Sequence, residues 1–489
     1  MFFLNKIVDA LRAHPNRNAF CIRNTFYSYQ DFFSRVAGIY TEVSEHYNTE
    51  TRIGVLLNDD VETYASLIAI LLLGKTYIPI HPHHPAERIN QVIKQSGLRL
   101  ILSGKEQQLY DNVRYFDVSS LTADPVSLSA PTISIKDDNA YILFTSGSTG
   151  IPKGVPITYF NLDSFIDAFI SLGYEMSEED RFLQMFDLTF DLSVMSYLAP
   201  LCIGACVYTV SDSGVKFTNI YGVLEQYEIS FALMVPSILS HLRPYFNEIA
   251  LPALKYCLFC GEALYSEIIS EWLSCIPNAT VENVYGPTEA TIFCLTYNIK
   301  SKEEIVDWNG IVAIGKPMKN MEAIVIDDNF QIVADGSQGE LCLFGSQLTQ
   351  GYLNAEKTKE AFFILNDKRY YRTGDISYVN NEGNFIYCGR VDNQVKVQGF
   401  RIELSEIEFH LRKLTGFSNV VAFAVTTATG LSQIEAVFDT TIQETGEIIE
   451  ALKTKLPSYM IPSKMHFISP FPLNTNGKTD RKELKKLIN

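Results

Sequence analysis

The chain has 489 residues, of which 47% are hydrophobic and 20% are charged, and its formal net charge is −16. That length favours two to four domains, and the acidic balance argues against a broad nucleic-acid-binding surface without excluding a local basic patch. The longest apolar run, residues 64–74, is too short to span a bilayer. Lys6 and Asp9 interrupt the apolar N-terminus before a signal-peptide core forms. We therefore predict an amphipathic helix there and expect a cytoplasmic protein without membrane insertion.

The first part of the chain alternates strand-like and helix-like segments. Apolar runs at 52–57, 76–80 and 98–102 predict strands, and longer segments at 61–73 and 85–96 predict helices. This βαβ rhythm predicts an α/β fold with a parallel sheet covered on both faces.

The second half of the chain changes character. Residues 310–400 contain short β-like runs separated by Gly, Asp and Asn, which predict a small antiparallel or barrel-like part. From residue 403 onward the pattern is α+β, with helices near 405–414 and 448–456 and strands near 420–426 and 434–438.

Cysteine and histidine clusters give only weak signals. The nine cysteines are widely spread, and an odd count without a secretory signal does not suggest a disulfide framework. The pair Cys257 and Cys260 forms a lone CxxC, so a zinc or redox role is the less favoured interpretation. His81, His83 and His84 cluster beside prolines, where turn chemistry is favoured over a metal site.

A glycine-rich loop, FTSGSTGIPK, occupies residues 144–153 after an apolar run that predicts a buried strand ending at Thr145. Gly147 and Gly150 permit a sharp turn that brings backbone N–H groups close to an anion. The loop departs from the GxxxxGK[ST] pattern, and a solvated turn is the alternative interpretation. Its hydroxyl donors and its positive charge suit a phosphate and come from Thr145, Ser146, Ser148, Thr149 and Lys153.

Residues 186–193, FDLTFDLS, place two acidic side chains in an apolar and aromatic context. A carboxylate in such surroundings is costly unless it has a partner. One interpretation is that Asp187, Asp191 or Ser193 caps the next helix. The other is that a carboxylate pairs with a ligand cation such as an ammonium group. The segment alone favours neither.

A strand predicted at 281–285 runs into the turn GPTE. This turn exposes Tyr285, Thr288 and Glu289 at a strand end, where α/β sheets bind ligands. A carboxylate beside hydroxyls and a nucleotide phosphate suits Mg²⁺, which prefers oxygen ligands and keeps several waters. A capped helix start is the alternative.

Three residues nearer the C-terminus complete the candidate set. Asp375 follows a Thr-Gly turn and has two oxygens with which to accept the hydroxyls of a ribose. Arg390 is placed to reach phosphate or ribose. Lys478 lies in a Gly/Asn loop and, by itself, is typical of a solvated surface lysine.

Six motifs occur in order along the chain: FTSGSTGIPKG, NVYGPTE, GELCLFG, YRTGD, GRVDNQVKVQGFRIELSEIE and NTNGKTDRKEL. With them the chain resembles the adenylate-forming enzyme superfamily and, within it, the amino acid adenylation domains. The resemblance runs from about residue 20 to the C-terminus. The segments FDLSVM, LFCGEAL and YGPTEATI resemble most the stand-alone D-alanine–carrier protein ligases.

The resemblance implies a large N-terminal domain, residues 1–391, and a small mobile α+β lid, residues 392–489, hinged at Asp392. It implies that a substrate carboxylate attacks the α-phosphate of ATP, giving an acyl-adenylate and pyrophosphate. A phosphopantetheine thiol on a carrier protein then takes the acyl group. It also implies that the lid rotates between the two steps.

The resemblance also assigns roles to individual residues. Lys478 would be catalytic, Glu289 would bind Mg²⁺, and Tyr285 would lie against the adenine. ATP would be bound by Thr145, Ser146, Gly147, Ser148, Thr149, Gly150, Lys153, Asn283, Val284, Tyr285, Gly286, Pro287, Thr288, Asp375, Tyr387, Gly389, Arg390 and Lys478. The amino acid would be bound by Asp191, Leu192, Met195, Leu258, Cys260, Val284, Ile292, Phe293 and Lys478.

Within this resemblance, Asp191 would pair with the substrate ammonium, so it favours an amino acid over the fatty or aryl acids used by acyl-CoA synthetases. The apolar pocket favours a small amino acid, with D-alanine preferred. The stretch GRVDNQVKVQGFRIEL is more like nonribosomal peptide synthetases, which leaves another small apolar amino acid as the alternative. A homologue that only binds nucleotide is disfavoured by Lys478, Glu289 and Asp375 together. No carrier attachment motif is found, so the carrier is expected to act in trans.

Overall fold

The computed structural model describes residues 2–105, 110, 113–129, 138–147, 150–211, 213–392, 394–417, 419–427, 431–441, 446–473 and 479–488. Three predicted site residues, Ser148, Thr149 and Lys478, lie outside these ranges. The chain divides into two compact units. The first unit consists of Met1–Pro82, Ile93–Phe144 and Gly154–Val391, and the second of His83–Val92, Thr145–Lys153 and Asp392–Asn489. The functional division into domains 1–391 and 392–489 stays a prediction.

The described residues form α-helices that are numbered in chain order. They are α1 (Phe2–Ala13), α2 (Tyr29–His46), α3 (Val61–Leu72), α4 (Ala86–Ser96), α5 (Tyr159–Ile170), α6 (Asp191–Ile203), α7 (Lys216–Gln226), α8 (Ser237–Leu242), α9 (Ser266–Trp272), α10 (Ala355–Ala361), α11 (Leu404–Thr415), α12 (Gly446–Lys453) and α13 (Arg481–Ile488). None of these helices is long and apolar enough to cross a membrane.

The strands of the first half are β1 (Asn18–Ile22), β2 (Thr25–Ser28), β3 (Arg52–Leu56), β4 (Thr76–Ile80), β5 (Leu100–Ser103), β6 (Arg114–Asp117), β7 (Asn139–Thr145), β8 (Lys153–Thr158), β9 (Arg181–Gln184), β10 (Cys206–Thr209), β11 (Phe231–Met234), β12 (Tyr256–Phe259), β13 (Thr280–Tyr285) and β14 (Leu295–Ile299). The remaining strands are β15 (Asp307–Trp308), β16 (Ile311–Val312), β17 (Lys316–Pro317), β18 (Met321–Ile326), β19 (Gly339–Gly345), β20 (Phe362–Leu365), β21 (Lys368–Val379), β22 (Phe385–Arg390), β23 (Gln394–Val397), β24 (Phe400–Glu403), β25 (Val420–Thr426), β26 (Ser432–Phe438) and β27 (Lys464–Phe467).

The predicted βαβ region forms a six-stranded sheet in the order β6-β5-β3-β4-β7-β8. Strands β3, β4, β5, β6 and β7 pair in parallel, as the alternation of strands and helices predicts. Helix α3 begins where the Asp60 carboxylate accepts the Thr63 N–H at 2.9 Å. It is buried along nearly its whole length, which matches its almost continuous apolar sequence.

A second, nine-stranded sheet has the order β17-β14-β13-β12-β11-β9-β10-β1-β2. Its parallel core consists of β1 and β9 to β13. Strand β9 lies between β10 and β11, so the chain turns to one side after β9 and crosses to the other side before β11. The fold therefore has a topological switch point at β9 and β11, where α/β sheets form a crevice at the carboxyl ends of their strands.

The predicted barrel-like part is a five-stranded antiparallel sheet, in which β18, β19, β21 and β20 are neighbours and β22 pairs with β21. Strands β20 and β21 are joined by a tight turn in which Asn366 and Asp367 both have positive φ, 50° and 60°. That pair of angles is typical of the hairpin turns that favour Asn and Asp. The sheet brings the YRTGD segment of β21 opposite the end of β22.

The second unit has its own α+β core. Strands β25, β26 and β27 form a three-stranded sheet, and β23 pairs with β24 in a separate ribbon. Helix α11 packs its apolar residues Ile407 and Leu411 into a cluster with Ala422, Phe438 and Leu452. It is capped at its C-terminus by Gly416, whose φ of 74° is the left-handed conformation that glycine adopts readily at helix ends. The predicted strands and helices of this region are present, with small shifts of their bounds.

Candidate active site

Asp375 and Arg390 face each other on neighbouring strands of the antiparallel sheet. They are paired residues of β21 and β22, and Arg390 Nη1 donates to Asp375 Oδ1 at 2.5 Å. The other carboxylate oxygen accepts a hydrogen bond from the Tyr285 hydroxyl. Burial is the main reason that the pKa of Tyr285 is raised well above its usual value, and the nearby Asp375 charge adds to the effect. Tyr285 therefore remains a neutral donor that orients Asp375.

The strand that carries Asp375 is held by a carboxylate on β19. Glu340 accepts two hydrogen bonds from the Arg372 guanidinium, at 2.9 and 2.6 Å, and one from Gly374 N–H at 3.1 Å. Gly374 has a φ of 72°, so the chain turns sharply before Asp375. Sequence reasoning gave Glu340 no role, although it lies in the GELCLFG motif. Its side chain fixes the turn that presents the Asp375 carboxylate.

The NVYGPTE segment ends strand β13 and reverses the chain. Asn283 Nδ2 donates to the carbonyls of Val312 and Ala313, at 3.3 and 2.9 Å. A Cβ on Gly286 would lie 2.4 Å from Phe293 Cα, so only glycine fits where the two backbones approach. The turn that follows Pro287 is a short 3-10 segment, Thr288–Ala290. The alternative of a capped helix start is therefore only partly confirmed, because a single 3-10 turn begins at Thr288 but has no side-chain cap.

Glu289 is completely buried, with 0% of its surface exposed. The Tyr352 hydroxyl donates to Glu289 Oε1 at 2.5 Å, and the Glu289 carbonyl accepts from Thr349 N–H at 2.8 Å. Both contacts fix the residue in the turn. A carboxylate oxygen is a ligand type that Mg²⁺ accepts, and a single protein carboxylate completed by waters and phosphate oxygens is common for this ion. The donor chemistry of Glu289 thus fits the predicted magnesium site.

Asp187 and Asp191 follow strand β9, at the switch point of the nine-stranded sheet. Asp187 Oδ1 accepts both the backbone N–H and the hydroxyl of Thr189 at 2.8 Å, so this carboxylate stabilises the local turn. Asp191 is instead the first residue of helix α6 and is 7% exposed. The N-cap residue of this helix is Phe190, which has no side-chain cap hydrogen bond. The interpretation that Asp187, Asp191 or Ser193 is the N-cap is therefore wrong. The helix N-terminus favours a negative charge at Asp191.

The apolar residues predicted for the substrate pocket share one cluster in the first unit. Ile292 is completely buried with a φ of 75°, which is a strained backbone for a β-branched residue. The Phe293 ring packs edge-on against Phe165, with 5.0 Å between the ring centroids, so packing fixes it as part of the apolar lining. The predicted members of this cluster are Leu192, Met195, Leu258, Cys260, Val284, Ile292 and Phe293.

Buried tyrosines surround the Asp191 end of this cluster, and sequence reasoning did not include them. The hydroxyls of Tyr77 and Tyr197 are 2.9 Å apart. Burial raises the pKa of Tyr77 and Tyr141 well above the usual value, and the Asp191 charge contributes to both shifts. The Tyr141 hydroxyl has no hydrogen-bond partner among the described residues. Asp191 is therefore a buried carboxylate close to neutral phenol groups.

The predicted phosphate loop belongs to the second unit, where its described donors contact residues 401–406. The Ser146 hydroxyl donates to the Arg401 carbonyl at 2.7 Å and accepts from Glu403 N–H at 3.1 Å. Gly147 N–H donates to Glu406 Oε2 at 3.1 Å, and Lys153 Nζ lies 3.4 Å from Glu403 Oε1. The alternative of a solvated turn is therefore wrong for these three residues.

The remaining predicted residues are placed as follows. Thr145 is the last residue of β7, and Gly150 N–H donates to the Gly147 carbonyl at 3.0 Å. Tyr387 and Gly389 lie on β22, opposite Ser377 and Ile376 of β21. Asp392 is the first residue of the longest segment of the second unit, and its carboxylate accepts from Gln394 N–H at 3.1 Å.

Most of the cysteines are buried in the hydrophobic core. All nine are free thiols, and eight of them are buried. Burial raises the pKa of the Cys257 thiol to about 12, which disfavours the reactive thiolate. The weak CxxC signal of Cys257 and Cys260 is therefore explained by a strand of the hydrophobic core.

The chain is similar to several known proteins. Residues 7–353 match the family described as AMP-binding enzyme. The chain is 32% identical, over 96% of both sequences, to proteins named D-alanine–D-alanyl carrier protein ligase from Bacillus cereus (strain ATCC 10987 / NRS 248) and Bacillus mycoides (strain KBAB4). The Vibrio cholerae adenylation domain AlmE, in complex with glycyl-adenosine-5'-phosphate, superposes with a TM-score of 0.88 at 27% identity, covering 99% of this chain and 97% of that one.

A second solved structure is that of holo-PA1221, an NRPS protein containing adenylation and PCP domains. It superposes with a TM-score of 0.87 at 25% identity, and the superposition covers 99% of this chain and 84% of that one. The family match spans well over half of the 489 residues, and the named relatives cover nearly the whole chain. The chain belongs to the AMP-binding enzyme family.

Proposed function

We propose that this protein is an ATP-dependent amino acid–carrier protein ligase, with D-alanine as the favoured substrate. The carboxylate of the amino acid attacks the α-phosphorus of ATP, pyrophosphate leaves, and an aminoacyl-adenylate forms. The thiol of a phosphopantetheine arm then attacks the acyl carbon, AMP leaves, and a thioester forms. The names of the relatives support this reaction, and glycyl-adenosine-5'-phosphate in AlmE supports a small amino acid.

The observation that carries the proposal is the buried carboxylate of Asp191 among apolar side chains at the switch point of the nine-stranded sheet. A carboxylate in such a place is stabilised by a cation that also lies in the pocket. An α-ammonium group supplies this cation, whereas a fatty or aryl acid has none. Leu192 and Phe293 are apolar and cannot pair with a charged side chain of the substrate, so a small apolar amino acid fits best.

We assign the nucleotide to the part of the first unit that contains Asp375, Arg390 and Tyr285. Asp375 accepts the ribose hydroxyls, and Arg390 and Tyr285 hold its carboxylate in a fixed orientation. Such prior orientation lowers the entropy that substrate binding costs. The backbone of residues 283–288 lines the adenine and the α-phosphate.

Mg²⁺ is proposed at Glu289, where it would offset the charge that develops on the phosphates. Lys478, which lies outside the described residues, is proposed to bridge the substrate carboxylate and the phosphate oxygens in the first step. Residues 1–391 and 392–489 are proposed to act as two domains, with Asp392 at the hinge. A cytoplasmic location is proposed, and the lack of disulfide bonds among the cysteines supports it.

The carrier protein is proposed to act in trans. The relatives, which match this chain over 96% of their own length, are named as ligases of a D-alanyl carrier protein, which supports a separate carrier. With a net charge of −16, this chain would need a local basic patch to attract an acidic carrier.

Amino-acid-dependent exchange between ATP and labelled pyrophosphate tests the first step. We expect exchange with D-alanine, the amino acid in the names of the relatives, and glycine and L-alanine show how strictly the size and chirality of the substrate are read. Serine, valine and aryl acids serve as comparison substrates. Preference for an L-amino acid would keep the mechanism and change the substrate, whereas exchange only with a simple carboxylic acid would overturn the role of Asp191.

A competition between acceptors tests the second step. The enzyme is supplied with ATP, D-alanine and either a phosphopantetheinylated carrier protein or free coenzyme A, and thioester formation is measured by mass spectrometry. We expect thioester on the carrier. Efficient acylation of free coenzyme A without carrier would assign the protein to the CoA synthetases instead.

A further inference from the structure

The second unit contains a buried ion pair that touches the phosphate loop. Arg88 Nη1 donates to Glu406 Oε1 at 3.1 Å, and the two side chains are 6% and 1% exposed. The other oxygen of the same carboxylate, Oε2, accepts from the backbone N–H of Gly147 at 3.1 Å. One carboxylate therefore joins a guanidinium and a loop amide that are far from each other in sequence.

The donors that surround these carboxylates are of the kinds that commonly bind phosphate in proteins. A phosphate is typically held by backbone N–H groups of a glycine-rich loop together with a guanidinium or an ammonium group. Here Gly147 supplies the N–H, Arg88 the guanidinium and Lys153 the ammonium. A carboxylate has the negative charge and the oxygen spacing to satisfy such donors, so Glu406 has the chemistry of a phosphate substitute.

A second acidic residue of the same segment completes the arrangement. Glu403 Oε1 lies 3.4 Å from Lys153 Nζ, and Glu403 N–H donates to the Ser146 hydroxyl at 3.1 Å. Among the described residues, the hydroxyl of Ser146, the amide of Gly147 and the ammonium of Lys153 thus all meet residues 401–406. These three donors are already satisfied by groups of the protein itself.

The energetics indicate that this contact does not serve stability alone. Burial raises the pKa of Glu406, although the Arg88 charge opposes that shift, so the desolvation of the carboxylate is not fully compensated. Buried ion pairs often contribute little or nothing to the free energy of unfolding, compared with apolar residues of the same size. The presence of a buried charge in spite of this cost is consistent with an ion pair in which Arg88 can exchange Glu406 for another anion.

We propose that Arg88 is a phosphate-binding residue and that Glu406 takes the place of the pyrophosphate part of ATP when that part is absent. The proposal rests on the use of ATP proposed above. A pyrophosphate group carries more negative charge than one carboxylate, so it displaces Glu406 from Arg88 and from the Gly147 amide. Conversely, the arrangement seen here and bound pyrophosphate exclude each other.

This exchange has a consequence for the direction of the reaction. When pyrophosphate leaves after adenylate formation, Glu406 fills its place and slows its return. Since the second step uses the adenylate and not pyrophosphate, the carboxylate favours the forward reaction. The residue acts by occupying the anion subsite and takes no part in bond formation.

The test is the binding of inorganic pyrophosphate to the full-length protein, measured by titration calorimetry with AMP as a reference ligand. We expect Glu406→Gln to bind pyrophosphate several-fold more tightly, because the competing charge is removed. In that background, Arg88→Gln should weaken pyrophosphate binding about 10-fold or more, which corresponds to the loss of a charge-assisted hydrogen bond. AMP, which lacks the pyrophosphate, should bind all variants equally.

Glu406→Gln leaves the buried Arg88 guanidinium without its carboxylate, whereas the double variant Arg88→Gln/Glu406→Gln removes both charges, so the melting temperatures of both variants are compared with the parent before the titrations. The matched controls are Glu87→Gln and Lys455→Gln. They remove a more exposed ion pair of the same unit, in which Lys455 Nζ lies 2.8 Å from Glu87 Oε2. Unchanged pyrophosphate affinity in the double variant relative to Glu406→Gln would overturn the assignment of Arg88. Weaker pyrophosphate binding by Glu406→Gln would overturn the competition. Both results are independent of which acid the enzyme activates.

Discussion

Arg390 and Asp375 form a buried ion pair across two neighbouring antiparallel strands, with 2.5 Å between Nη1 and Oδ1. The pair explains why an acidic residue is stable at this position before any nucleotide arrives. Because the second carboxylate oxygen accepts from Tyr285, the side chain has little freedom to turn. The proposed ribose site is therefore organised in the protein itself.

Asp375→Asn should raise the KM for ATP by about 10- to 100-fold, because hydrogen bonds to a charged acceptor contribute about 1.5–3 kcal/mol. The KM for the amino acid should change little, since Asp191 is kept. Steady-state pyrophosphate exchange gives both constants. Asp328→Asn, an exposed position of the same unit, is the control. An unchanged KM for ATP would show that Asp375 does not contact the nucleotide.

Asp191→Asn should raise the KM for the amino acid at least 10-fold and leave the KM for ATP nearly unchanged. The variant keeps the size of the side chain and removes the charge that pairs with the ammonium group. Asp187→Asn is the matched control, because the Asp187 oxygen that accepts from Thr189 is retained as an amide oxygen. If both variants raise the KM equally, the distinction between the two acids is wrong.

Lys478→Ala should lower the rate of adenylate formation at least 100-fold while ATP binding is largely kept. A positive charge that bridges the two reactants acts mainly in the transition state, so kcat falls more than affinity. Thioester formation from chemically prepared adenylate should continue. Lys482→Ala, an exposed lysine of α13, serves as the control. Adenylate formation at the parent rate would contradict the role of Lys478.

Glu282→Gln should stabilise the protein increasingly as pH rises. Burial raises the pKa of Glu282, although the Tyr174 and Asn298 hydrogen bonds oppose the shift. The folded state thus prefers the protonated acid, and its contribution to stability is complete below the unfolded pKa of about 4.3 and is lost as pH rises through the folded pKa. The difference in melting temperature between variant and parent should grow from pH 4.5 to 7.5. A difference that does not vary with pH would contradict this sign.

Tyr141→Phe should raise the free energy of unfolding by about 1 kcal/mol, because a buried hydroxyl without a partner among the described residues is removed. Tyr77→Phe is the matched control in the same cluster and should have the opposite effect, since its hydroxyl pairs with Tyr197 at 2.9 Å. Urea unfolding of both variants provides the measurement. A destabilised Tyr141→Phe protein would show that the hydroxyl has a partner in solution.

The sequence alone was sufficient for those features that depend on neighbouring residues. The apolar run at 76–80 predicted a strand with the same bounds as β4, and the glycine-rich loop followed a strand that ends at Thr145, as in the structure. Periodicity, turn residues and ordered motifs are local properties of the chain. For the same reason the motifs sufficed to predict the family and the kind of reaction.

The contacts that position the site were decided by the tertiary structure. Glu340 reaches Gly374 across 34 positions, Tyr285 reaches Asp375 across 90, and Arg88 reaches Glu406 across 318. The order of the strands places β9 between β10 and β11, which no local pattern specifies. Only the packing of distant segments determines which donor meets which carboxylate, because hydrogen bonds and ion pairs act over a few ångströms and carry no signature in sequence spacing.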